Sequence, residues 1–168
     1  MKPQQTEFAP YFHYYVDLVP QNNLHEALTA AHDQTQKMLS NISEEQGNFR
    51  YADGKWSIKE LLVHLIDNER IFCNRALRFA RQDTTDLPGY DHNAYVLASH
   101  ADHRQLSDIA QEFKLVRAAT TALFDSFRPE DLQQSGTANN LPTSVAALGF
   151  IIPGHEIHHG NVIREQYL

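Results

Sequence analysis

At 168 residues, with 14 Lys+Arg against 21 Asp+Glu and a formal charge of −7, the chain has room for one domain, 1–168, around a single core. Its acidic balance and lack of any basic run exclude a phosphate-tracking nucleic-acid surface and favour a neutral or cationic ligand. One cysteine excludes an internal disulfide, and the lack of any apolar run near Met1 or of membrane-spanning length predicts no signal peptide, no membrane span and a cytoplasmic setting.

The first 20 residues carry Phe8, Tyr11, Phe12, Tyr14 and Tyr15. They are too aromatic for a solvated tail, so this arm is expected to pack against the rest of the chain. Helical periodicity runs from about Asn22 to Ile42, where Leu24, Ala27, Leu28, Ala31, Met38 and Leu39 fall at three- and four-residue steps. Ser57 and Glu60 form a capping box ahead of Leu61, Leu62, Leu65, Phe72, Ala76 and Phe79, which predicts a second helix to about Arg81. The stretch from about Gln82 to His103 reads as a long irregular connection with a Pro88-Gly89 turn. Asp91, His92, Tyr95, His100 and His103 make it rich in ligand-capable side chains, and Asp91 and Tyr95 are its candidates for substrate contact.

Leu106, Ile109, Phe113, Val116, Thr120, Leu123 and Phe127 predict a third helix that Arg128 and Pro129 stop. A fourth follows Pro142, capped by Thr143 or Ser144, and carries Val145, Leu148, Ile152, Val162 and Ile163. Pro153 is expected to kink it. Four amphipathic helices of roughly 20 residues, with no convincing strand pattern between them, predict an all-α four-helix bundle.

Ten histidines are the anomaly in this composition. His155 and His159 lie one helical turn apart on one face, so their imidazoles can converge on a single metal ion while His158 points elsewhere. The same string reads His-Glu-x-x-His, the zinc-peptidase pattern in which Glu156 is the general base. Two features oppose that reading: the residues after His159 include no histidine, and no sheet edge is expected to hold a peptide. Glu156 is left as a base, a residue that orients a ligand, or a solvated charge.

A third ligand has to come from upstream. His64 is the best placed, because a histidine amid Leu61, Leu62, Val63, Leu65 and Ile66 needs a polar partner that a metal would supply. Asp67 and Asn68, at i+3 and i+4, share its face and could orient a ligand or hold a bound water. Cys73, beside Phe72 in an apolar series, reads as a small hydrophobe rather than a nucleophile. The histidines at 13, 25, 32, 92, 100 and 103 read as surface or loop residues.

Lys55-Trp56-Ser57-Ile58-Lys59-Glu60, His64-Leu65-Ile66-Asp67-Asn68-Glu69-Arg70 and Arg75-Ala76-Leu77-Arg78 are together similar to the first core motif of the DinB-like, or YfiT-like, superfamily of proposed metal-dependent enzymes. Pro88-Gly89-Tyr90-Asp91, the stretch from Glu112-Phe113 to Arg117, Gly136-Thr137 and Gly154-His155-Glu156-Ile157-His158-His159 continue the match in order. Pro153 departs from it, standing where a small residue is expected. The resemblance implies an up-down-down-up bundle, often a homodimer, and a divalent metal, zinc or nickel, held by His64, His155 and His159. It also implies thiol-dependent transferase or isomerase chemistry with a low-molecular-weight thiol such as bacillithiol or mycothiol. The leading expectation is therefore a transferase whose metal activates such a thiol for attack on an electrophilic small molecule. Metal-assisted hydrolysis and a non-enzymatic, stress-linked metal-binding or dimerisation module are the alternatives.

Overall fold

A computed structural model describes residues 2–168. Its elements in chain order are α1 (His13–Asp17), α2 (Leu24–Leu39), α3 (Glu44–Gly47), α4 (Ile58–Ala80), α5 (His92–Ser99), α6 (Leu106–Asp125), α7 (Pro129–Leu132), β1 (Ser135–Ala138), β2 (Leu141–Ser144) and α8 (Val145–Gln166). The four long helices α2, α4, α6 and α8 form the bundle. Three of them start at capped ends: Asn23 accepts from the Glu26 N–H, Ser57 from Glu60 in a complete capping box, and Ser144 from Ala147. Among the described residues no helix is long and apolar enough to cross a membrane.

Contacts along the helices give their directions. His25 meets Asp125 and Arg117 donates to the Leu28 carbonyl, so α2 and α6 are antiparallel. Arg70 pairs with Glu112 and Cys73 with Thr120, so α4 and α6 are parallel. Gly149 lies against Leu24 and Arg164 against Met38, so α2 and α8 are parallel too. This is the up-down-down-up order.

A parallel α4–α6 pair obliges the chain to travel back along the bundle before α6 begins. With 23 residues, α4 is about 34 Å long, which accounts for the length of the connection. The irregular connection expected from sequence is instead partly helical: α5 and a 3₁₀ turn at Ala101–His103 lie against α4. Val96 alone of the α5 residues is buried, so the helix shows no apolar stripe. The second departure is the antiparallel hairpin of β1 and β2, with Ser135 opposite Ser144 and Ala138 opposite Leu141. Asn139 and Asn140 hold φ of 55° and 60°, the left-handed pair that a two-residue turn requires and that asparagine tolerates. A Cβ at Gly136 would collide with the Phe79 ring, so the hairpin lies directly on the C-terminal part of α4.

The interior is divided rather than continuous. One apolar cluster contains Phe8, Val16, Phe72, Phe79, Phe124, Phe150 and Ile151; the other contains Leu39, Leu62, Ile66, Ile109, Phe113 and Ile163. Between them along the helices run buried polar residues, among them His64, Glu69, Arg117, His155 and Glu156. The aromatic arm seals the first cluster: Phe8 and Val16 are buried, and α1 packs on α8. α8 continues through Pro153 without interruption.

Candidate metal centre

His64 enters this polar layer from α4, and His155 and His159 enter from the facing side of α8. The antiparallel α4–α8 pairing brings an upstream histidine level with the downstream pair. His64 Nε2 lies 3.2 Å from His155 Nε2, and His159 Nε2 lies 2.9 Å from His155 Nε2. One ligand atom from each of the three falls within 4.8 Å of the others. Nitrogens on one tetrahedral zinc are about 3.3 Å apart, from a Zn–N bond near 2.05 Å, so the donor set fits a divalent ion of that size. Nδ1 of His159 is buried without a hydrogen-bond partner among the described residues, so Nε2 is that ring's polar contact within the group.

Burial keeps all three imidazoles neutral at pH 7, as ligation requires. It lowers the His155 pKa well below the usual value, with His159 and His64 adding. It lowers His64 to about 4, with His92 adding, and His159 to about 3, with His64 adding. Trp56 and Tyr15 flank the group: the Trp56 ring centroid is 4.9 Å from that of His64, and Tyr15 meets His155 edge-on at 5.3 Å. His158 turns outward to Tyr14.

The three histidines form part of the wall of a cavity of about 450 Å³, within the range of small-molecule sites. Phe12, Phe72, Leu148 and Ile151 make its wall apolar; Asn68, Arg75, Tyr90 and His92 add polar groups. Asn68 Nδ2 donates to the Tyr90 hydroxyl at 2.7 Å. Among the described residues no carboxylate lines this cavity, so the ligand preference drawn from net charge is not that of the site.

Four expected site residues lie elsewhere. Glu156 is neither solvated nor at the cavity: it is 1 % exposed and pairs with Arg117 in the core. Its position is about 100° around α8 from His155, which turns it toward α2 and α6. Asp67 is absent from the cavity wall and faces Arg70. Asp91 accepts from the N–H groups of Asn93 and Ala94 as the cap of α5. Tyr95 is 48 % exposed and packs on Tyr90. Both thus support α5 and Tyr90 rather than touching the cavity.

His92, a loop residue by its sequence, opens α5 instead; its ring stands 5.8 Å from that of His64 and lines the cavity. Trp56, Arg75 and Tyr90 were not singled out as functional; the stripe His64, Asn68, Phe72, Arg75 on α4 is the signal that carries Arg75. Cys73 borders a separate, open groove of about 680 Å³ between α4 and α6. Burial pushes its thiol up to about 11, in keeping with the non-nucleophilic reading.

Comparison with known proteins places this arrangement. YfiT from Bacillus subtilis, a probable metal-dependent hydrolase with an unusual four-helix bundle topology, superposes with a TM-score of 0.71 at 16% identity, over 99% of this chain and 91% of its own. A mycothiol-dependent maleylpyruvate isomerase superposes with a TM-score of 0.69 at 14% identity. That match covers 88% of this chain, which spans only 61% of the isomerase. At such identities the likeness is one of fold. No curated protein matches the chain. The DinB superfamily model matches residues 27–163, from α2 through the histidine pair of α8, and the chain belongs to that superfamily.

Proposed function

We propose that this protein is a metal-dependent enzyme acting on a small molecule, and more specifically a thiol transferase. One observation carries the reading: three neutral Nε2 atoms converge at the wall of a cavity, with no fourth protein ligand among the described residues to close the set. When bound, a divalent ion such as zinc or nickel would favour the thiolate form of a low-molecular-weight thiol, the form that attacks an electrophilic carbon. Phe12, Tyr15, Trp56 and Phe72 exclude water around the reacting atoms, and Asn68, fixed by Tyr90, orients polar groups. His92 is placed to receive the proton that the thiol gives up.

Metal-assisted hydrolysis is the second reading, and the same His92 favours it, since a base at that position serves a water as well as a thiol. A cytoplasmic homodimer belongs to the proposal; the single cysteine agrees with a reducing compartment, the family resemblance supports the pairing, and light scattering tests the latter. Metal analysis of the purified protein is the first experiment. Near-stoichiometric zinc or nickel is expected, lost in His64→Ala and His155→Ala, while the chelated protein stays folded at a lower melting temperature. Full metal content in both variants sinks the three-histidine site. Metal-dependent conjugation of a thiol to a chloronitrobenzene supports transfer; metal-dependent turnover of esters without thiol supports hydrolysis instead.

A further inference from the structure

Arg75 is 8 % exposed and has no acidic partner among the described residues. Of the five N–H groups a guanidinium carries, Nη2 donates to the Pro88 carbonyl at 3.0 Å, and the group lies over the Phe72 ring at 5.5 Å. A buried cation without a counter-ion is costly. Elsewhere this chain avoids that cost: buried Arg117 meets Glu69 and Glu156, and buried Lys59 meets Glu44. The exception borders the same cavity as the three histidines. Arg75 follows His64 by eleven positions on one stripe of α4, about 16 Å along the axis. The cavity therefore has a histidine end and a cationic end, with Phe12, Phe72, Leu148 and Ile151 as apolar walls.

We propose that Arg75 recognises a carboxylate of the substrate, so that the site takes a small organic acid whose apolar body runs from the histidines toward the guanidinium. This rests on reading the cavity as the substrate site of a metal-dependent enzyme. The planar fork of arginine matches a carboxylate through two parallel hydrogen bonds, which a point charge cannot do. The net charge of −7 does not oppose this. Exposed charges are screened beyond about 8 Å at physiological salt, and among the described residues Arg75 is the only lysine, arginine or carboxylate side chain at the wall.

Trp56 is the only tryptophan and lines the cavity, so its fluorescence reports occupancy. The test titrates metal-replete and chelator-treated protein with phenylbutanoate and with phenylbutanamide, which keeps the shape and removes the charge. The acid is expected to bind about ten- to a hundredfold more tightly in both metal states. Arg75→Gln should abolish the preference and Arg75→Lys should retain part of it. If Arg75→Gln fails to fold for want of the Pro88 bond, Arg75→Lys decides, since it keeps a cation but loses the fork and should cut the preference while leaving amide binding unchanged. No binding of the acid, no preference in the wild type, a preference that survives Arg75→Gln, or one undiminished in Arg75→Lys overturns the proposal. A preference lost on chelation also overturns it, by moving the anion site to the metal, and leaves the three-histidine reading standing. Absent metal binding with the acid preference intact sinks only the metal reading.

Discussion

Arg117 Nη2 lies 2.9 Å from Glu156 Oε2, in a pair whose side chains are 4 % and 1 % exposed, one residue along α8 from His155. The same guanidinium gives its well-directed bonds to Glu69, from Nε at 2.9 Å and Nη2 at 2.8 Å, and a third from Nη1 to the Leu28 carbonyl at 2.8 Å. One cation thus ties all four long helices together, level with the histidines. Burial alone would lower the Arg117 pKa; Glu156 and Glu69 outweigh it and leave the value raised. Burial raises the Glu156 pKa, with Arg117 opposing.

Two carboxylates share one cation, so the members of this layer should not be equivalent. Arg117→Met leaves both carboxylates buried without a counter-charge and is expected to cost about 3–5 kcal/mol. Glu156→Gln leaves a one-to-one Arg117–Glu69 pair and should cost less than about 1 kcal/mol, with metal content unchanged. Urea midpoints at constant slope measure both. Equal losses in the two variants would contradict the surplus-charge account and show that Arg117 needs both carboxylates.

The histidine trio was legible because helical period alone puts His155 and His159 on one face, and because His64 interrupts an apolar run that had to be buried. The destination of Glu156 was not, since one position along a helix turns a side chain toward different neighbours, and only packing shows that α6 presents Arg117 there. Short elements also escaped. α5 buries only Val96, and the hairpin strands have four residues each, too few for periodicity to register. Asn139-Asn140 was the one local signal for that turn. Asp91 and Tyr95 looked like ligands because composition does not separate a helix cap or an aromatic stack from a site. Arg75 carries its meaning through a missing counter-ion, which no sequence pattern records.

His32 offers a pH test. It lies 5.1 Å from the Phe113 ring, and both its ring nitrogens are buried without a partner among the described residues. Burial lowers its pKa from 6.5 to about 4; Arg117 and Lys114 act in the same direction, against Glu69 and Asp33. Between pH 6.5 and about 4 the unfolded chain binds more protons at this residue than the folded one does. The stabilisation is therefore complete above 6.5 and is lost as pH falls through that window. His32→Leu should match or exceed wild-type stability at pH 7, because it removes two unpartnered polar atoms. Its urea midpoint should also fall less steeply on acidification. Parallel midpoint curves for the two proteins would show that His32 does not titrate as its burial requires.

Gly154 tests how the arm closes the cavity. A Cβ there would strike the Tyr15 carbonyl, because α1 crosses α8 with backbone against backbone at the residue before His155. That approach sets the Tyr15 ring 5.3 Å from His155 and forms one wall of the site. In an open helix position Gly→Ala stabilises by up to about 1 kcal/mol through helix propensity. At Gly154 the collision with rigid backbone should outweigh that gain, for a net loss of about 1–3 kcal/mol, and the displaced arm should expose Trp56 to aqueous quenchers. Gly160 on the same helix is the control. A Cβ there would meet only the Arg164 guanidinium, at 3.7 and 3.8 Å, so Gly160→Ala should be neutral or stabilising and leave quenching unchanged. Gly154→Ala is thus expected to lower the urea midpoint, and Gly160→Ala to leave it unchanged or raise it. A shift of the same sign and size in both would mean that α1 yields freely at Gly154, and the arm would then be a loose cover rather than a fixed wall.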